Sequence, residues 1–498
     1  MSRLLTRAVP IQTQVMNKVI KVRNPRTGQY DYEFAAATEQ QVKDCARQLR
    51  QANRRWQSAG LEHRIETLRQ WKTALAEHRS AIINALTTDT GRHLASVIEV
   101  DGIAPMIDRW TAQAATLTAE QEGRSAALPQ LTFRSQFVPY ELVGVISPWN
   151  FPVLLSLIDA IPALVAGCSV AIKPSEVTPR FIEPLRRSIE SVPALSEVLM
   201  ILPGDGATGA ALINEVDAVC FTGSVKTGRL VAEAAARNFI PAFLELGGKD
   251  PAIITASADL ERAATVALRA SVFNTGQACQ SLERIYVEAS VYETFVARLV
   301  ELAEQAKLNF PDIHQGQIGP LIFDRQAEII AEQLADAVAK GATVLTGGKI
   351  ETHGGGKWIR PTVVTGVTHE MKLMTEETFG PIIPVMKFST VAEAVTLAND
   401  SQYGLSAAVF AGSAKEAETI ARQINAGAVS INDGALTGLM HEAEKNSFRL
   451  SGLGGSRMGA AGLLRFFRKK ALIFQTGQPA TLNQFDERLA KPTKGDLS

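Results

Sequence analysis

The chain has 498 residues, 46% hydrophobic and 20% charged: the length of two or three ordinary domains and the balance of a globular protein. Lys plus Arg and Asp plus Glu both number 51, so the formal net charge is zero, which removes the electrostatic case for nucleic acid or an anionic membrane surface. Four cysteines without a CxxC pair and seven scattered histidines speak against a zinc site and point to free thiols in a reducing compartment, the cytoplasm.

Met1 to Val22 mixes polar and apolar residues. No apolar core of signal length follows Arg3 and Arg7, so the stretch is expected to be a surface lead-in. Residues 39 to 120 are predicted helical, because Leu68, Trp71, Leu75, Ile82 and Leu86 recur near helical spacing with charged residues between them. From 121 to 140, Leu131, Phe133, Phe137 and Tyr140 alternate loosely with polar residues, as in a β-ribbon. Residues 142 to 246 then alternate short apolar runs with helical segments. Repeated β-α units with near-continuous apolar strands predict a parallel sheet covered on both faces. The most apolar stretch, Phe151 to Ile172, is interrupted by Pro152, Asp159 and Pro162, and reads as a buried helix and strand rather than a membrane span. A second α/β run covers roughly 251 to 440, with strands expected near 252–254, 285–287, 343–345, 382–388, 407–410 and 428–431. A late strand is expected at 466–475, and the last dozen residues are expected to be mobile.

Cys279 stands in Phe273-Asn-Thr-Gly-Gln-Ala-Cys279-Gln. A lone Cys is ordinarily a buried small hydrophobe, the reading that fits Cys45, Cys168 and Cys220. Cys279 differs because Gly276, Gln277 and Gln280 surround it; such a setting exposes a thiol and supplies N–H donors that favour the thiolate. Glu245 ends the apolar run in Phe243-Leu-Glu-Leu-Gly-Gly-Lys249. It is either a strand-end carboxylate turned to solvent or paired with Lys249, or a partly buried base, and the residues alone do not choose. Pro148-Trp149-Asn150-Phe151-Pro152 is either a turn with Pro near a helix start or a loop presenting the Asn150 amide to an oxyanion. Gly204-Asp-Gly206-Ala-Thr-Gly209 fits GxGxxG, but no acidic residue follows about twenty positions on, so the nucleotide fingerprint is weak. Taken alone, Phe221-Thr222-Gly223-Ser224-Val-Lys-Thr-Gly228 reads better as a tight turn than as a pyrophosphate loop. Lys173-Pro-Ser175-Glu176 reads better as a solvated strand end than as a ribose site.

Together these segments and Glu376-Glu377-Thr-Phe379-Gly-Pro381 resemble the aldehyde dehydrogenase superfamily. They stand in the family's order at similar spacings, and the likeness runs from about residue 20 to 477. The resemblance implies an α/β fold with a Rossmann-like parallel-sheet cofactor domain (20–120 and 141–246), an α/β catalytic domain (247–445), a β-ribbon oligomerisation element (121–140 with 460–480) and a tail (481–498). It implies that Cys279 is the nucleophile, that Glu245 is the general base, and that Asn150 and the Cys279 N–H form the oxyanion hole. It puts Lys173 and Glu176 at the adenosine ribose, Gly223 and Ser224 at the pyrophosphate, and Glu377 and Phe379 at the nicotinamide riboside. It makes Ser147, Pro148, Trp149, Ser175, Gly206, Gly209, Phe221, Thr222 and Leu246 further expected cofactor contacts. The implied reaction is oxidation of an aldehyde to a carboxylic acid through a thiohemiacetal and a thioester, in a homodimer or homotetramer. A carboxylate at Glu176 favours NAD, with NADP possible.

The chain departs from the family at one place. Many members carry Pro-Phe-Gly-Gly shortly before a Lys-x-Ser-Gly segment; here Glu444-Lys-Asn-Ser447 precedes Ser451-Gly452. The remaining pocket residues, Phe151, Leu155, Ile158, Gln280 and Leu282, are mostly apolar, and no Arg pair offers itself to a second carboxylate. The expectation is a medium or long aliphatic or an aromatic aldehyde. Two alternatives stand beside it: a CoA-acylating relative, and a binding or structural protein on the same fold.

Overall fold

The computed structural model describes residues 17–489, so most of the expected lead-in and the end of the expected mobile tail lie outside it. Val19–Arg23 (β1) and Tyr30–Ala35 (β2) form an antiparallel hairpin. The expected helical stretch resolves into α1 (Glu39–Ser58), α2 (Gly60–Thr90), α3 (His93–Asp101) and α4 (Ile103–Leu117). A capping box starts α1: the Thr38 hydroxyl accepts the Gln41 N–H, and the Gln41 side chain accepts the Thr38 N–H. Leu68, Trp71, Ile82 and Leu86 of α2 are buried in one cluster with the first sheet.

After the short strand β3 (Glu122–Arg124) and the long β4 (Leu131–Pro139) come β5 (Leu142–Ile146), α5 (Pro152–Ala166), β6 (Ser169–Lys173), α6 (Ile182–Glu190), α7 (Pro193–Ser196), β7 (Leu199–Ile201), α8 (Gly206–Ile213), β8 (Ala218–Thr222), α9 (Val225–Arg237) and β9 (Ala242–Glu245). Strands β5 to β9 are parallel. The chain runs outward from β5 through β6 to β7, then returns to the other side of β5 with β8 and β9. That reversal opens a crevice beyond the carboxyl ends of β5 and β8. In α5, Asp159 is buried and carries two guanidinium partners, Arg457 at 3.1 Å and Arg465.

The second sheet has the order β12-β15-β16-β11-β10-β18-β19. It comprises β10 (Asp250–Ile254), β11 (Leu282–Glu288), β12 (Thr343–Thr346), β15 (Thr362–Thr365), β16 (Ile382–Phe388), β18 (Ser406–Phe410) and β19 (Ala428–Ile431). All pairs are parallel except β12 with β15. Ile350–His353 (β13) and Gly356–Ile359 (β14) form a separate hairpin, and Tyr403–Gly404 (β17) pairs with Phe448–Arg449 (β20). The chain then returns to the first sheet: Gly452–Leu453 (β21) pairs antiparallel with β9, setting Gly452 opposite Glu245. Last, Phe467–Gln475 (β22) runs antiparallel to β4 along its whole length, so the tail strand and the 121–140 segment share one ribbon.

Candidate active site

Cys279 lies between the two sheets' loops. Helix α10 (Leu260–Val272) runs into a 3₁₀ turn at Phe273–Gly276, where Asn274, Thr275 and Gly276 all have left-handed φ angles of 59°, 59° and 70°. At Gly276 a Cβ would fall 2.2 Å from the carbonyl carbon and oxygen of Gly380 and 2.6 Å from Pro381 N, so only glycine lets the cysteine loop touch the Phe379-Gly-Pro381 loop. Gln277 is fully buried; its Oε1 accepts the Ile322 N–H (2.9 Å) and its Nε2 donates to Asn274 O (3.1 Å). Cys279 itself is partly exposed. Among the described residues its N–H has no hydrogen-bond acceptor.

Asn150 follows β5 and is buried. Its Nδ2 donates to the Gln277 carbonyl (3.0 Å), two residues before Cys279. Its own carbonyl accepts from Arg92 Nη2 (2.9 Å) and Asn274 Nδ2 (3.2 Å). Arg92 and Glu99 behind it are buried; burial pulls the guanidinium down to about 10 and pushes the carboxyl up to about 8, each tempered by the other's charge. The sequence reading missed Arg92 and Glu99, because in a helical stretch they look like ordinary surface residues, and Asn274, because its bonds to Asn150 and Gln277 depend on the turn.

Glu245, at the end of β9, accepts a hydrogen bond from Ser447 Oγ (2.8 Å), with Lys445 Nζ at 3.7 Å and Arg457 Nε at 4.0 Å. Its considered partner Lys249 is engaged elsewhere, with Glu283 (2.7 Å) and Thr378 Oγ1 (2.8 Å). Glu283 in turn accepts the N–H groups of Thr378 and Phe379, both at 2.8 Å. The two glycines after Glu245 are spaces for neighbours: a Cβ on Gly247 would meet the Glu377 carboxylate at 2.4 Å, and one on Gly248 the Cys279 carbonyl at 2.7 Å. Glu377 accepts the Gly248 N–H (3.1 Å), and burial pushes it up to about 8. Burial likewise pushes the Cys279 thiol up to about 11; Lys445 pulls it down, while Glu377, Asp250 and Glu245 push it further up. Cys45 and Cys220, which are buried, stand at about 12, and Cys168 is pushed higher still.

Most of the remaining candidate residues stand at the carboxyl ends of first-sheet strands or at the starts of the helices that follow. Ser147 Oγ bonds Ser156 Oγ (2.7 Å); Pro148 leads to Trp149, whose ring lies 5.3 Å from that of Phe379, itself at φ 53°. Lys173 Nζ donates to Glu176 (3.1 Å), and Ser175 Oγ accepts the Val177 N–H (3.2 Å). Gly206 opens α8 with no atom within 4 Å of its Cβ position, and Gly209 rests against Ile146 and Lys173. Phe221 and Thr222 are buried at the end of β8; Gly223 follows, and Ser224 caps α9 by accepting the Thr227 N–H (3.3 Å). Leu246 packs where Gly228 leaves room. Toward the mouth, Phe151 stacks on Phe273 (6.1 Å), Leu155 is half-buried and Gln280 is bonded by Thr437. The other two pocket expectations, Ile158 and Leu282, are buried in the first-sheet and second-sheet clusters.

Among the described residues no cluster of His, Cys, Asp and Glu is arranged to hold a metal ion, and no helix is long and apolar enough to cross a membrane.

A doubly wound sheet facing a second α/β sheet, with a thiol, an amide and a carboxylate at the join, defines the class of protein. The model of the aldehyde dehydrogenase family matches residues 11–472, and the chain belongs to that family. It is 42% identical over 330 residues to a Mycolicibacterium smegmatis protein provisionally named succinate-semialdehyde dehydrogenase [NADP(+)], covering 66% of this chain and 64% of the relative. It is 41% identical over 345 residues to the 4,4'-diapolycopene aldehyde oxidase of a Methylomonas species, covering 68% and 63%. The matched stretches thus span just under two thirds of those relatives' own lengths. Among solved structures, an Anabaena variabilis protein provisionally named aldehyde dehydrogenase PutA superposes with a TM-score of 0.91 at 54% identity, covering 93% of this chain and 99% of that one. Betaine aldehyde dehydrogenase from Staphylococcus aureus, solved with NAD+, superposes with a TM-score of 0.87 at 30% identity, covering 94% and 94%.

Proposed function

We propose that this chain oxidises an aldehyde to a carboxylic acid with NAD as the preferred hydride acceptor. The observation that carries the reading is the convergence of three distant segments: the Asn150 amide on Gln277, and the Gly247–Gly248 turn after Glu245 on the Cys279 carbonyl.

The residues fit a dinucleotide. The first sheet reverses beside β5, the amino ends of α8 and α9 open at its carboxyl edge, and Gly206 faces open space. Lys173 and Glu176 would hold the adenosine ribose, Gly223 and Ser224 the pyrophosphate, and Glu377 and Phe379 the nicotinamide riboside. When bound, the nicotinamide supplies a hydride acceptor. The Glu176 carboxylate suits a 2′-hydroxyl and repels a 2′-phosphate; because one relative is named for NADP(+), NADP is accepted as a second choice.

With its thiol pushed up to about 11, Cys279 is mostly protonated at neutral pH, so attack requires a base, and Glu245 takes that role. The sulfur pair bonds the aldehyde carbon, and the carbonyl pair moves onto oxygen. The second Asn150 Nδ2 hydrogen and the free Cys279 N–H stabilise that oxyanion, at about 3 kcal/mol per donor. Hydride loss from the same carbon leaves a Cys279 thioester. Glu245 hands the thiol proton on to solvent and then deprotonates water, whose oxygen attacks the thioester carbon as the C–S bond breaks and releases thiolate.

The mouth favours an apolar tail. Phe151, Phe273 and Leu155 line it, and Arg92, 5.6 Å from the Phe151 ring, is bonded to the Asn150 carbonyl and balanced by Glu99. The substrate class is therefore a medium or long aliphatic or an aromatic aldehyde. The exposed ribbon of β22, β4 and β3 would join copies into a dimer or tetramer, and the free thiols suit the cytoplasm. NADH formation from octanal, benzaldehyde and succinic semialdehyde, with and without CoA, tests the reading. Octanal or benzaldehyde should give the highest kcat/KM without any need for CoA. Glu245→Gln, which removes the base for both proton transfers, should abolish NADH formation and leave no acyl mass on the Cys279 peptide. Preference for succinic semialdehyde would reject the substrate class, a CoA requirement would reject hydrolysis, and inertness toward every aldehyde would reject the activity.

A further inference from the structure

The segment Glu444-Lys445-Asn446-Ser447, where the chain departs from its family's Pro-Phe-Gly-Gly, folds directly over Glu245. The pairing of β21 with β9 brings it there, and the absent side chain of Gly452 makes room: a Cβ would sit 2.6 Å from that of Ser447. Lys445 Nζ donates to Ser447 Oγ (3.2 Å), Ser447 Oγ donates to Glu245 Oε2 (2.8 Å), and Lys445 Nζ stands 3.7 Å from the same oxygen. The Lys445 and Glu245 side chains are only 11% and 13% exposed, so their charges interact with little solvent screening.

The charges around the sulfur explain why a cation is needed. Glu245 from β9, Asp250 from β10 and Glu377 from the loop before β16 all oppose an anion at Cys279. Arg457 spends its Nη2 on Asp159 and Thr222, while its Nε stands 4.0 Å from Glu245 and its charge also couples to Cys279. Lys445 is the cation that bears most strongly on the thiol, and it bears on Asp250 as well.

We propose that Lys445 is a positioning residue: its ammonium supplies the positive charge met by the Cys279 thiolate, and through Ser447 it fixes the direction of the Glu245 carboxylate. The proposal rests on the roles of Cys279 and Glu245 given above. Side chains that family members with Pro-Phe-Gly-Gly lack thereby enter the electrostatics of the reaction.

The test is iodoacetamide alkylation of the cofactor-free full chain across a pH series, read thiol by thiol by peptide mass spectrometry, with thermal melting as the folding control. Lys445→Met should slow Cys279 alkylation about tenfold at a given pH and raise its half-maximal pH by about one unit. Lys445→Arg should restore the wild-type profile. Ser447→Ala keeps the charge but cuts the bridge; it should leave alkylation unchanged while lowering kcat for octanal about tenfold at constant KM. Superimposed Lys445→Met and wild-type profiles, or Lys445→Arg behaving like Lys445→Met, would overturn the proposal. If Lys445→Met does not fold, Ser447→Ala decides, and an unchanged kcat overturns it. A wild-type Cys279 no more reactive than Cys45 would instead defeat the catalytic reading itself.

Discussion

Replacing Gly276 with Ala separates backbone strain from misplacement of the nucleophile. The left-handed φ of 70° costs an alanine about 1 kcal/mol, which a protein of this size tolerates. The steric effect is larger. The new methyl would lie 2.2 Å from the Gly380 carbonyl atoms and 2.6 Å from Pro381 N, all backbone, so no rotamer change relieves it. Restoring ordinary contact near 3.5 Å requires the two loops to part by about 1 Å. A displacement of that size at the reacting atoms costs roughly 10²-fold in rate. Gly60→Ala is the matched control, because Gly60 has φ 84° but nothing within 4 Å of its Cβ position. Both variants should melt slightly earlier than the parent, but only Gly276→Ala should lose about 10²-fold in kcat for octanal oxidation. A Gly276→Ala enzyme with wild-type kcat would refute the argument that this contact sets the geometry.

Asn150→Ala should lower kcat by about 10²–10³-fold with little change in melting, since Asn274 Nδ2 still satisfies the Gln277 carbonyl (2.9 Å); a small kcat effect would remove Asn150 from the oxyanion site. Glu176→Gln should raise the NADP-to-NAD ratio of kcat/KM, and a flat ratio would end the ribose assignment. Asp159→Ala strands Arg457 and Arg465 in the interior and should cost roughly 3–5 kcal/mol, seen as a clear drop in melting temperature; an unchanged melt would contradict the pairing. Asp250 is pushed up to about 7 by burial, eased by its bonds from Ser406, whereas in the unfolded chain it ionises near 4. Between those pH values the folded state holds the extra proton, so stability falls as pH rises. Asp250→Asn should therefore flatten the decline in melting temperature from pH 5 to pH 8, and an unaltered slope would show that Asp250 does not carry it.

Where the two levels of description part is clearest around the three reacting groups. Strands β5, β6 and β8 are buried throughout, and their continuous apolar runs were legible because a strand covered on both faces has no polar position to spare. The stripe of α2 was legible for the same local reason. The β1–β2 hairpin escaped notice because its residues are mostly exposed, and β15 because four residues after a proline carry too little pattern. The glycines after Glu245 and before Cys279 were visible as letters, but their reason is an approach by Glu377, the Cys279 carbonyl and Gly380, none of which is local.

The sequence by itself determined the alternation of strands and helices and the candidate thiol and carboxylate, because burial acts residue by residue on a repeating backbone. Only the tertiary structure decided that Ser447 reaches Glu245 across 202 positions and that Arg457 reaches Asp159 across 298. Such pairings follow from how the last strands close onto the first sheet, and a charge's partner is fixed by distance in space, which a linear pattern does not encode.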